Sequence, residues 1–221
     1  MLLNPYISFP TGGVLPPQGV TVDIYTAGTV DDDQTSYQNT ATTPYNMYFN
    51  YSVCHVLVRD TEINQLISGG KTITGLQIEN GVSGTTSLSQ FRISVAHTNE
   101  IFLSTTMETD IAQSGGGFTY FDRQTCFNGT YFPTGNAWNN INFQTDFIYN
   151  GTSNLVITFE NRSGSYIISG RPKWVYGGRG LSYRASLFQD DYDNITTGSF
   201  PMITTAVSVA NGNFPNLKIN Y

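Results

Sequence analysis

Two histidines and two cysteines are the side chains of this 221-residue chain best suited to nucleophilic or general-base chemistry. His55 sits beside Cys54, but neighbouring residues of a strand point to opposite faces, so a thiolate–imidazole pair between them is geometrically poor. His97 follows an alternating apolar segment, which suits a local hydrogen-bonding role better than a catalytic one. No GxSxG, HExxH or cysteine–histidine signature surrounds any of the four. Carboxylate pairs for glycoside cleavage are defined by separation in the fold. Glu62, Glu79, Glu108 and Asp146 stand in no supporting pattern. Asp31-Asp32-Asp33 lacks the spaced ligands and distal acid of a calcium loop and reads as solvated. Asp190, Asp191 and Asp193 form the densest acidic group; it reads as a loop, with calcium held by acids and carbonyls as the alternative. Cys54 and Cys126 form no CxxC pair, so a structural zinc site is not expected. They read as buried small hydrophobes, with a disulfide left open. No cofactor or metal is expected, and the chain reads as non-enzymatic.

Aromatic residues supply the remaining chemistry. Tyr166, Trp174, Tyr176, Tyr183 and Tyr192 lie in a glycine-rich region that could stack a sugar, against the alternative that they fill a core. The first four are the candidate glycan or partner face. The ten basic residues are scattered; Arg162, Arg171, Lys173, Arg179 and Arg184 come nearest to a cluster and read as solvated. With 16 acidic residues and a net charge of -6, the chain repels phosphate, which argues against a nucleic-acid partner.

The elements that position these groups are short strands. Charged residues make up only 12% of the chain, and tyrosine, phenylalanine, threonine, asparagine and glycine fill the gap. Such a composition suits pleated, half-buried surfaces joined by tight turns. Apolar alternation or β-branched runs predict strands at 20–25, 45–58, 72–79, 91–96, 118–131 (broken by a turn at Asn128-Gly129), 137–143, 154–159, 166–168, 174–176, 206–209 and 217–221. Residues 154–159 look buried on both faces. Gly69-Gly70, Gly115-Gly116-Gly117, Asn150-Gly151 and Gly177-Gly178 mark turns, and Trp138 is read as a core plate. One short helix is predicted at 60–66, with a second helical turn within 105–113. The pattern predicts an all-β fold: an antiparallel two-sheet β-sandwich, jelly-roll-like, at 31–221, behind an extended N-terminal arm at 1–30. Pro5, Pro10, Pro16 and Pro17 forbid a helix in that arm, and Leu2, Leu3, Tyr6, Ile7 and Phe9 are apolar enough to dock it on a neighbour.

No stretch reaches the apolar length of a membrane helix, and the N-terminus carries no secretory leader, so membrane insertion is not expected. Asn50, Asn128, Asn150, Asn161 and Asn194 begin glycosylation sequons but read as turn asparagines. An extracellular type of composition without an export signal fits a protein made in a host cytoplasm and displayed on a virion.

From about Tyr45 onward the chain resembles a β-sandwich module of bacterial surface and adhesin proteins that also occurs in phage structural proteins. Pro44-Tyr45 with Tyr51-Ser52, Glu62-Ile63 with Gly70 to Leu76, and Ile93 to Thr98 ending in His97-Thr98 carry part of the likeness. Phe127 to Thr130, Gly135 to Asn139, Phe147 to Ile157, Asn161 to Ser165 and Phe214 to Ile219 carry the rest. The sequence departs from the family's pattern at Cys54-His55, in the two residues inserted before Trp138, and at Phe214, where arginine is usual. The resemblance implies a sandwich with a binding or structural role and transfers no active-site residue. The opening Met1 to Tyr6 also resembles the start of phage structural proteins. The function expected is therefore a capsid-decoration, head-fibre or tail-associated virion protein, a homo-oligomer with other virion subunits as partners. The alternative is a glycan-binding adhesin module.

Overall fold

A computed structural model of the chain describes residues 21–25, 29–30, 44, 47, 49–64, 69–82, 87–103, 120–134, 137–166, 173–178, 185–190, 209–211 and 213–221. The described residues are mostly β and form two antiparallel sheets. The strands are β1 (Thr21–Tyr25), β2 (Thr29–Val30), β3 (Tyr51–Val58), β4 (Lys71–Val82), β5 (Leu88–Thr98), β6 (Phe121–Tyr131), β7 (Ala137–Tyr149), β8 (Asn154–Asn161), β9 (Lys173–Gly178), β10 (Ala185–Asp190), β11 (Val209–Asn211), β12 (Asn213–Pro215) and β13 (Leu217–Asn220). One sheet has six strands in the order β11-β10-β3-β8-β5-β6. The other has seven, in the order β1-β13-β4-β9-β12, with β2 on β9 and β7 on β4.

One core joins the sheets. Ile73, Leu76, Ile78, Ile141, Phe147 and Ile219 of the seven-stranded sheet meet Val56, Phe91, Ile93, Leu155, Ile157 and Phe159 of the six-stranded one in a single buried cluster. Phe91 is its aromatic hub, stacked on Tyr131 at 5.1 Å and on Phe159 at 6.3 Å between centroids. Every residue of β8 is buried. Leu155, Ile157 and Phe159 enter the main core, while Val156 joins a second cluster with Leu57, Ala96, Leu103 and Tyr120. That two-sided burial explains the near-continuous apolar run of residues 154–159.

The predicted helix forms as α1 (Asp60–Asn64). The Arg59 carbonyl accepts from the Glu62 and Ile63 amides, and the Glu62 carboxylate reaches back to accept from the Arg59 amide at 2.8 Å. Ile63, fully buried, plugs this single turn into the core.

Four sequence expectations are corrected. Asn128-Gly129 makes no turn: β6 runs through it, with Gly129 opposite Phe91 at a register shift. Glycine here serves a strand irregularity. Gly177-Gly178 likewise stay in β9, paired with Phe214 and Asn213. Trp138 is not a core plate. Asn139 and Ile141 are the buried residues of that stretch, and Trp138 lies half-buried on the other parity with exposed Asn140 and Asn142. Tyr166 is exposed coil rather than strand. Strands β2, β10 and β12 were not predicted.

Residues 21–25, expected as a strand at the end of the arm, pair with β13, and 29–30 pair with β9. Residues 21–25 and 29–30 are thus part of a sheet, with β1 as an edge strand. Residues 1–20, the helical turn expected within 105–113 and the turn at Gly115 to Gly117 lie outside the described residues.

Candidate binding groove

The two histidines are the first places to look for chemistry, and both are built into the framework. His97 Nδ1 lies 2.6 Å from Asp122 Oδ2, while Nε2 accepts from the Asn150 amide at 3.0 Å. A carboxylate on one ring nitrogen and an N–H donor on the other select the neutral Nδ1–H tautomer. The nitrogen that would face a nucleophile in a catalytic relay is occupied by backbone. Asp122 reaches this position from a left-handed backbone, φ 53°, and its other oxygen accepts from the His97 amide at 3.1 Å. The ring packs among Phe121, Phe147 and Tyr149. His55 is buried with Nδ1 3.0 Å from Thr158 Oγ1, and burial, helped by the nearby Arg123 charge, pulls its pKa down to about 3. Cys54, its sequence neighbour, enters the main core on the opposite face. Both cysteines are free and buried; burial raises both thiols, Cys126 to about 12.

Glu160 is the most heavily engaged acid. Arg123 Nη2 lies 2.9 Å from Oε1, and Arg92 and Arg162 approach Oε2 at 3.7 and 3.8 Å. Burial still raises its pKa, the Arg123 and Arg92 guanidinium groups opposing. Arg162, read as solvated, is therefore a correction: its side chain is 13% exposed and paired. The other candidate acids hold structure. Glu62 caps α1, Glu79 Oε2 accepts from Asn216 Nδ2 at 2.6 Å, and Asp146 is exposed on β7, its carbonyl accepting from Gln124. No three histidine, cysteine, aspartate or glutamate side chains converge among the described residues.

A concave feature of the described surface lies between β6 and β7. β6 and β7 are edge strands of different sheets. Between Ile73↔Phe147 and Gly75↔Asn142, Thr74 of β4 faces residues 143–146 of β7, so β7 bulges away from its partner. The bulge brings β7 to β6. Gln124 Nε2 donates to the Asp146 carbonyl at 2.7 Å, and Gln144 accepts from the Asn128 amide at 3.0 Å while donating to its carbonyl at 3.2 Å. Beyond this bridge, toward Phe132 and Thr134, the strands line a groove of about 510 Å3. Phe127, Tyr131, Phe132, Trp138, Asn140 and Asn142 line it, together with Ile141, two threonines and Asn139; none of the ten is charged.

Asn139 ties Thr134 and Ala137 together at the groove. Its Oδ1 accepts from Thr134 N at 2.7 Å and Thr134 Oγ1 at 2.8 Å, and its Nδ2 donates to the carbonyls of Thr134 and Ala137, both at 2.9 Å. Asn80 adds a further bond to the Thr134 carbonyl at 3.1 Å. One wall is Trp138, with Lys218 Nζ 4.2 Å from its ring centroid.

No family model, no curated protein and no solved structure matches the chain. The groove stands on its own geometry.

Of the expected glycan face, Trp174 and Tyr176 lie on β9, opposite Asn80 and opposite Thr29 and Pro215 respectively. Tyr166 is 59% exposed, and Tyr183 and Tyr192 lie outside the described residues. Leu2, Leu3, Tyr6, Ile7 and Phe9 of the arm, Glu108, and the acids Asp31 to Asp33, Asp191 and Asp193 also lie outside them, while Asp190 ends β10. Sequence reasoning missed Phe132, Asn140 and Asn142, and misplaced Trp138. The available signal was the asparagine run after Trp138: polar residues on alternate positions of a strand mark its exposed side.

Proposed function

We propose that the chain is a non-catalytic surface module of a phage particle, a jelly-roll-like β-sandwich that docks on other virion subunits through the arm before Thr21. The observation that carries this reading is the use made of its reactive and polar groups. His97, Asn150, Asn154 and Asn161 each tie loops or strands together instead of opening onto a cleft. The resemblance to surface and phage structural modules, and a low-charge aromatic composition, support it further. Because β1 is an edge strand, chain leading into Thr21 joins the body at its rim, a suitable place for an arm to depart.

Incorporation is the test. Removing residues 1–20 leaves every described strand in place, whereas removing 1–30 would delete β1 and β2. Particles assembled with the shorter truncation should lack the protein, while the truncated chain keeps its β circular-dichroism signal. Normal copy number on the particle would overturn the reading.

A further inference from the structure

We propose that the groove between β6 and β7 is a binding site for a neutral saccharide. This goes beyond the particle role and does not depend on it, since it would serve a virion protein or an adhesin module alike.

Phe132 is 57% exposed and lines the groove, so its ring face is open to a ligand. A pyranose offers a face of weakly positive C–H groups, which matches the negative face of an aromatic ring. Trp138 forms the wall, with Lys218 over its ring, so Phe132 is the stacking platform.

The polar groups match hydroxyls. Four amides run in one direction across the outer side of the seven-stranded sheet. Gln77 Nε2 donates to Asn220 Oδ1 at 3.1 Å, Asn220 Nδ2 to Asn140 Oδ1 at 2.6 Å, and Asn140 Nδ2 to Asn142 Oδ1 at 2.6 Å. The relay ends on the Asn142 Nδ2 group, which presents donors at the groove, polarised by the chain behind them. Amides both donate and accept, as hydroxyls do. None of the ten lining residues is charged, and the Lys218 charge is held on the Trp138 ring, so neutral hydroxyls are the better match for the lining.

Size and rigidity fit as well. About 510 Å3 lies within the range of small-ligand sites. Thr134 is tied down by Asn139 before any ligand arrives, so little ordering of that residue accompanies binding. The competing occupant is a peptide strand on the open edge of β7. Exposed asparagines on that strand and a projecting phenylalanine favour the sugar.

The experiment probes the full-length chain with an array of neutral oligosaccharides and their sialylated and sulfated counterparts. Titration calorimetry then uses the best-bound neutral oligosaccharide. Binding to a neutral member is expected, at least tenfold weaker in Phe132→Ala and in Asn142→Ala, two exposed positions whose replacement leaves the core intact. Phe102→Ala, an exposed aromatic outside the groove lining, should bind as wild type. The proposal is overturned if no neutral oligosaccharide binds, if charged counterparts bind better, or if both groove variants bind normally. It is equally overturned if extended peptides, and no sugar, bind in a Phe132-dependent way.

Discussion

At the scale of single residues, this protein spends its polar side chains on holding loops. The turn after β7 shows how. Asn150 Oδ1 accepts from the amides of Thr152 and Ser153, both at 2.9 Å, and closes the turn. Gly151 sits at φ 83°, where a Cβ would lie 2.6 Å from the Gly69 carbonyl carbon and the Gly70 nitrogen. Gly151→Ala should therefore cost about 2 kcal/mol or more, through strain and clash together, read from the urea midpoint. His97 offers a cleaner subtraction. His97→Phe keeps a ring among Phe121, Phe147 and Tyr149 but abandons the part-buried Asn150 amide and the Asp122 carboxylate. A loss of about 1–3 kcal/mol is expected by urea denaturation; an unchanged midpoint would show that these bonds contribute nothing. Asn154 is a second loop tie. Its Oδ1 accepts from the Asp60 amide at 2.8 Å and its Nδ2 donates to the Glu100 carbonyl at 2.7 Å, so one amide anchors both α1 and the chain after β5.

At the scale of elements, the notable device is the treatment of two sheet edges. An open edge offers unpaired donors and acceptors to any other chain. Here the β7 bulge turns residues 144–146 toward β6, and two glutamines close the gap with three side-chain-to-backbone bonds of 3.2 Å or less. Gly75 makes the bulge possible, since a Cβ there would stand 2.6 Å from the Ile141 carbonyl oxygen. The double variant Gln124→Ala, Gln144→Ala should stay folded yet self-associate more at high concentration, as measured by light scattering. Unaltered scattering over the same range would mean that the bridge does not protect the edges. Strand periodicity located most of these elements, and β8, buried on both sides, was the plainest. Periodicity failed at Asn128-Gly129, because a dipeptide that favours a hairpin in isolation is overridden when both flanks pair with β5.

At the scale of the whole molecule, buried titratable groups set how stability responds to pH. His55 ordinarily titrates near 6.5, and burial holds it at about 3. Between those values the unfolded chain takes up a proton that the folded chain refuses. Stability must therefore fall as the pH drops from 6.5 toward 3, on the order of 1 kcal/mol per unit. Glu160 acts with the opposite sign: its raised pKa makes the folded state hold a proton longer, so just above the ordinary carboxylate range its contribution falls as pH rises. Comparing wild type with His55→Gln isolates the first effect. The variant's urea midpoint should depend less steeply on pH between 6.5 and 4, and parallel slopes would refute the assignment.

The features readable from the residues alone are local. Alternation and β-branched runs specify strands, a glycine with positive φ specifies the turn at 151, and a short polar segment with Glu62 in place specifies α1, because each depends on neighbours within a few residues. Only the tertiary structure decided what distant segments do to one another. It set Asp122 against His97, gathered Arg92, Arg123 and Arg162 around Glu160, and turned Trp138 outward beside a groove. Each of these depends on strand register and on a bulge whose position follows from the packing of two sheets, and no local pattern records that packing.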